Sequence, residues 1–275
     1  MGNPQAEIGI FGGSGFYSLV KGIKTYAVQT PYGAPSDRIA IAEIEGRKVA
    51  FLPRHGTYHQ CPPHAINYRA NLWAMKELGV TRIISPSACG SLQPDVEPGH
   101  FVFCDQFVNL TYDRKDTFYD GPLSVHIATE EPYCPDLRTL AVGVAEEMGI
   151  TYHREGTVVV IQGPRFSTRA ESKWFMQTGW SVINMTQYPE VTLARELEIC
   201  FLNVSLVTDW DVGLAGLPGV RTVTADEVAR VFNLNNERIK EFLFKMIPTI
   251  PRERECICKD ALKNAIFSPM ELLED

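Results

Sequence analysis

No apolar run in the sequence approaches the ~20 residues that a bilayer-spanning helix needs, which excludes a membrane-spanning α-helix. Positive charge is in deficit. Lysine and arginine number 26 against 33 aspartates and glutamates, for a net charge of −7, so the chain lacks the global basic field of a nucleic-acid binder. None of the seven cysteines pairs as CxxC, which disfavours a zinc ribbon. No HExxH helix accompanies His55, His59 and His64, and no carboxylate lies between them, so no metal is expected. The dinucleotide fingerprint is broken, because Phe11 stands where GxGxxG has its middle glycine, and no GK[ST] follows to make a Walker loop. The N-terminus has no basic stretch leading into an apolar one, and Ala6 stands where a myristoylation signal wants serine or threonine. The expected compartment is therefore the cytoplasm.

What is present is an ordinary globular composition, 45% hydrophobic and 21% charged, over 275 residues. Neither a repeat nor a low-complexity linker divides the chain, so we expect one domain over residues 1–275. Apolar runs at 7–11, 38–44, 48–53, 81–85, 100–109, 156–163, 182–184 and 201–208 predict strands. The spacing of Ile66, Ala70, Trp73, Ala74 and Leu78 predicts a helix over 64–78, and another is expected at 136–148. Thr168 with Glu171, and Thr224 with Glu227, are capping boxes that open two more helices, the second running to about 246. A further helix should begin near Pro189-Glu190. Strand–helix alternation predicts an α/β fold, and the hairpin at 38–53 makes its sheet mixed. The charged tail from about residue 250 is expected to pack on the surface or on a neighbouring subunit.

In such folds the loops after strand carboxyl ends build the ligand site. Gly12-Gly13-Ser14-Gly15 follows a strand and reads either as a tight turn or as a loop that cradles an anion. Pro53-Arg54-His55-Gly56 offers a guanidinium fork suited to phosphate and a histidine as a further donor. Ser87 opens the small-residue stretch Ser87-Ala88-Cys89-Gly90-Ser91, expected to be a loop. Phe166 could anchor in the core or wall an aromatic ligand. Thr186 ends a strand with another hydroxyl. Asp209 and Asp211 stand two apart at a strand end, where i and i+2 share a face, so two acceptors could converge on one edge of a base.

GIFGGSG, PRHG, INYRANLWAMKELG, SACGSL, EGTVVVIQGPRFSTRAES, VINMTQYPEVTLARE and TDWD follow one another over nearly the whole chain. In this order they resemble the purine nucleoside phosphorylase family, and most closely its 5′-methylthioadenosine phosphorylase branch. The resemblance implies a single α/β domain on a mixed, partly barrel-like sheet flanked by helices. It implies phosphorolysis of methylthioadenosine to adenine and 5-methylthioribose 1-phosphate, with inorganic phosphate as co-substrate and no metal or organic cofactor. A 6-oxopurine or methylthioinosine phosphorylase is the nearest alternative, and a non-catalytic purine-binding protein is one of another class. Phosphate would be held by Ser14, Arg54, His55, Ser87 and Thr186. Ala88, Gly90, Phe166, Ile183 and Met185 would surround base and ribose. Asp209 would be the general acid at purine N7, Asp211 would read the 6-amino group, and Val228 would wall the 5′ substituent. Family members are trimers or dimers of trimers, which implies a homo-oligomer that borrows His126 and Met270 from a neighbouring subunit. The seven cysteines read as free thiols of a cytosolic protein, with Cys134–Cys200 and Cys256–Cys258 as the pairs if disulfides form instead, and neither nucleic acid nor membrane is expected as a partner.

Overall fold

β12 (Cys200–Trp210) is buried at ten of its eleven residues, so this strand lies in the middle of the fold and not at an edge. The computed structural model describes residues 5–12, 23–214 and 224–267. The strands before it are β1 (Ile8–Gly12), β2 (Lys24–Tyr26), β3 (Ile39–Ile44), β4 (Arg47–Pro53), β5 (Arg82–Ser91) and β6 (Phe101–Val102). They continue with β7 (Gln106–Leu110), β8 (Ser124–Val125), β9 (Tyr152–His153), β10 (Thr157–Ile161) and β11 (Val182–Asn184), and β13 (Ile266–Phe267) closes the series. The helices are α1 (Tyr68–Glu77), α2 (Pro135–Glu147), α3 (Arg169–Gln177), α4 (Gln187–Glu196) and α5 (Ala225–Thr249).

Eleven of these strands form one mixed sheet in the order β2-β3-β4-β1-β5-β11-β10-β7, which forks at β5 and stays open. Parallel pairing joins β4, β1 and β5, and β5 runs parallel to β12 from Arg82 to Ser91. On its other flank the end of β5 pairs antiparallel with β11, Ile183 opposite Gly90. β12 carries β6, and β6 carries β9. Helices cover both faces. Leu137 and Ala141 of α2 and Phe242 and Met246 of α5 pack with Ile8, Ile10, Leu202 and Val204. Leu72 and Met75 of α1 and Val191 and Leu193 of α4 pack with Phe11, Ile83, Phe201 and Val207. The mixed α/β architecture is thus the expected one.

The expected loop at 87–91 is the second half of β5 instead. Small residues carry little strand preference of their own, but β12 supplies a continuous hydrogen-bonding partner along them. The run 100–109 is two strands, β6 and β7, with different partners. The helix expected from 64 begins at Tyr68, because the Asn67 side chain accepts from the Ala70 N–H and caps it there. Thr168 and Glu171 do form a reciprocal capping box on α3. The segment after α5 folds back on its own chain: β13 pairs with β8, and Cys256 and Cys258 are buried.

Candidate active site

β1, β4, β5 and β12 are parallel, so their carboxyl ends meet on one side of the sheet, and the end of β11 joins them there. These ends enclose a cavity of about 620 Å³. Arg54, His55, Ser87, Ala88, Gly90, Phe166, Ile183, Met185, Thr186, Asp209 and Asp211 all line it. These residues span positions 54–211, and the strand ends gather them. Ser14, Met270 and the side chain of Val228 lie outside the described residues. His126 is exposed and away from this cavity; its backbone N–H donates to the Ala265 carbonyl beside β13.

One region is built for an anion. Arg54 is buried, and Glu190 accepts from its Nε at 2.5 Å and from its Nη2 at 3.0 Å. Ser85 also accepts from Nη2, and the Pro86 carbonyl accepts from Nη1 at 3.2 Å. The Ser87 oxygen accepts from the Asn203 amide at 3.1 Å and the Asn184 amide at 3.4 Å, which leaves its own O–H to donate. Thr186 precedes α4 without using its hydroxyl as a cap, so that group too is available to the cavity.

His55 is a correction to its expected role as a donor. Its Nδ1 lies 2.8 Å from the Cys61 carbonyl, so that nitrogen carries the proton. Burial, then the neighbouring Arg54 charge, pushes its pKa down to about 4. At neutral pH the ring is uncharged and Nε2 is left as an acceptor. His55 stacks on His59, with centroids 4.4 Å apart.

The second region is acidic. Asp209 accepts from the Thr208 hydroxyl at 2.8 Å. The register of β12 against β5 shifts between Val207 and Asp209, opposite the end of β5. A Cβ on Gly90 would lie 3.1 Å from Asp209 Oδ1 and 3.5 Å from the Asp211 Cβ, so both acidic residues crowd the same glycine. Asp211 is buried, and burial raises its pKa against the opposing donors Ser172, Ser167 and the Val212 N–H. Its Oδ2 has no hydrogen-bond partner in the protein. Ser172 accepts from the Gly213 N–H at 2.7 Å, which anchors this support to the backbone.

Between the two regions the walls are apolar. Gly163 has φ +62°, and a Cβ there would sit 2.6 Å from the Met185 sulfur, so only glycine lets Met185 reach its place on the wall. Phe166 is half-exposed on the cavity wall, and its loop is tied by the Arg165–Glu171 ion pair at 2.7 Å.

The sequence reading missed Ser85, Asn203, Gln187 and Glu190, the polar layer behind the anion region. Gln187 donates to Ser85 at 3.3 Å, and Ser85 donates to Glu190 at 3.0 Å. Their only signal is polarity inside otherwise buried elements.

Elsewhere, Cys134, Cys200, Cys256 and Cys258 bring their sulfurs within 4.8 Å of one another. All seven cysteines are free thiols, with Cys200 and Cys256 3.3 Å apart. Among the described residues this is the one cluster dense enough in ligand groups to hold a metal ion. No helix among the described residues is long and apolar enough to cross a membrane.

The family model of the phosphorylase superfamily matches residues 7–248. The S-methyl-5′-thioadenosine phosphorylase of Thermofilum pendens is 52% identical over 265 residues, 96% of this chain and 99% of its own. The purine nucleoside phosphorylase of Streptomyces coelicolor is 46% identical over 268 residues, covering 94% of this chain and 95% of its own. The crystal structure of a methylthioadenosine phosphorylase from an antarctic soil metagenomic library superimposes with a TM-score of 0.91 at 36% identity, over 98% of this chain and 95% of that one.

Proposed function

The chain belongs to the phosphorylase superfamily, and from that premise we propose that it phosphorolyses S-methyl-5′-thioadenosine to adenine and 5-methylthioribose 1-phosphate. One observation carries the reading: the two carboxylates crowd Gly90 and the anion region lies at Ser85–Ser87, two places along the same strand β5. Ser87 and Gly90 are three positions apart, which at ~3.3 Å per residue is about 10 Å, room for a ribose between phosphate and base.

Phosphate takes the N–H and O–H donors of Arg54, Ser87 and Thr186, with Ser14 assigned by its motif. Its oxygen attacks C1′ as the C1′–N9 bond breaks and that bond's electron pair passes to the purine. The ribosyl centre is cationic in between, and the adjacent anion stabilises it. Asp209 delivers the proton that the leaving purine takes at N7. Asp211 accepts from the 6-amino group, a role that its unpartnered Oδ2 supports. Met185 packs on the ribose. Phe166 and Ile183 flank the base beside Ala88 and Gly90, and Val228 walls the methylthio end. Phosphate is a co-substrate, and no organic cofactor enters this scheme.

The exposed His126, together with Met270, completes the site of a neighbouring copy in a homotrimer or a dimer of trimers. The chain works in the cytoplasm as one domain. Its clustered cysteines, free thiols in the structure, are close enough to pair on oxidation as Cys134–Cys200 and Cys256–Cys258. A 6-oxopurine specificity is the second reading, favoured by the name of the Streptomyces relative; a buried carboxylate facing a 6-oxo group opposes it, acceptor against acceptor.

The test is adenine release from methylthioadenosine with and without phosphate. Release only when phosphate is present supports the reading. Release at the same rate without phosphate, or none in either case, overturns it.

A further inference from the structure

The proposed function leaves the buried carboxylate of Glu190 without a task. Glu190 is 1% exposed, sits in the first turn of α4 and does not itself line the cavity. Its two oxygens take the Nε and one Nη2 hydrogen of Arg54, a side chain 136 residues away. A guanidinium has five N–H donors. Ser85 takes the second Nη2 hydrogen and the Pro86 carbonyl takes one on Nη1. A single Nη1 hydrogen remains for the cavity that Arg54 lines.

Glu190 accepts two of the four hydrogen bonds that aim that hydrogen. Ser85 and Pro86 hold the outer nitrogens from the strand side, while only Glu190 grips Nε and Nη2 together. A bidentate carboxylate fixes the plane of a guanidinium as well as its position. Ser85 braces the carboxylate in turn, donating to Glu190 Oε2 at 3.0 Å, and accepts from Gln187, the first residue of α4. The described lining includes no lysine and no second arginine. Phosphate therefore depends on directional donors, and the direction of Arg54 matters more than its charge.

We propose that Glu190 is the positioning residue of the phosphate site, holding the Arg54 fork so that one Nη1–H points at the anion. The proposal rests on the phosphorolysis reading. In Glu190→Gln the amide NH₂ would face a guanidinium N–H, and the fork turns away. The phosphate KM should rise at least tenfold, with the nucleoside KM changing less than threefold. In an Arg54→Ala background, which already binds phosphate poorly, Glu190→Gln should add less than a twofold change. A merely structural Glu190 would alter both KM values together and would act equally in both backgrounds.

Ser85→Ala removes the brace without leaving a buried charge unpaired, and it serves if Glu190→Gln does not fold. It should raise the phosphate KM about threefold. A phosphate KM that is unchanged or lower in these variants overturns the proposal, as does an equal rise for phosphate and nucleoside or a full effect without Arg54. Absence of phosphate-dependent cleavage in the unmodified enzyme would instead overturn the phosphorolysis reading.

Discussion

Replacing Asp211 by asparagine should change which purine this site accepts, and the surroundings of Asp211 indicate by how much. The Ser172 and Ser167 hydroxyls and the Val212 N–H surround the carboxylate as donors. The Val212 backbone N–H can only donate, so it fixes which end of an amide turns towards it. An amide at this position must give its oxygen to those donors, so its NH₂ faces the cavity. A 6-aminopurine then loses a charge-assisted hydrogen bond, worth about 1.5–3 kcal/mol, and meets a donor it cannot satisfy, at about 1–3 kcal/mol. The lower half of that combined range, about 3 kcal/mol, is roughly a hundredfold in kcat/KM. A 6-oxopurine gains a donor for its carbonyl at about 1 kcal/mol, a few-fold improvement. The ratio of methylthioadenosine to methylthioinosine turnover should fall by about three orders of magnitude. Asp209→Asn, which removes the N7 proton donor, should depress both substrates alike. The assay is steady-state kcat/KM for the two nucleosides in both variants. Equal losses on both substrates in Asp211→Asn would refute the reasoning and make Asp211 a structural residue.

Stability should fall in acid through His55. Its folded pKa of about 4 lies below the 6.5 of an unperturbed imidazole, so the unfolded state takes up a proton first. The contribution is complete above pH ~6.5 and is lost as pH falls to ~4, by about 3 kcal/mol at most. Urea unfolding of the native protein and His55→Asn across that range should show the steeper loss in the native protein; parallel curves would remove His55 as the cause. The 5′ wall assigned to Val228 should favour methylthioadenosine over adenosine by about 1–3 kcal/mol, and more efficient cleavage of adenosine would dismiss it. Oxidised and then denatured, the protein should titrate three free thiols, Cys61, Cys89 and Cys104, with the other four in disulfides whose reduction lowers Tm. Seven thiols, or one zinc ion per chain by elemental analysis, would contradict the pairing.

Local signals in the chain were enough for several parts of this protein. The capping box at Thr168 and Glu171 acts over three residues, so its reading needed no tertiary knowledge. The long helix α5 and the buried strand β12 were legible from apolar spacing, and the Asp209–Asp211 pair from the period of a strand. The polar motifs at strand ends named the lining of the cavity, because in a parallel sheet strand ends share one side. Residues 87–91 were misjudged as a loop because small residues become a strand only when a partner such as β12 runs beside them. The tautomer of His55 was hidden until the Cys61 carbonyl was placed against Nδ1. Glu190 was hidden more deeply, since its role depends on a guanidinium 136 residues away. Periodicity reports which face of an element is buried, but which buried polar groups meet depends on how distant elements pack, and the tertiary structure alone decides that.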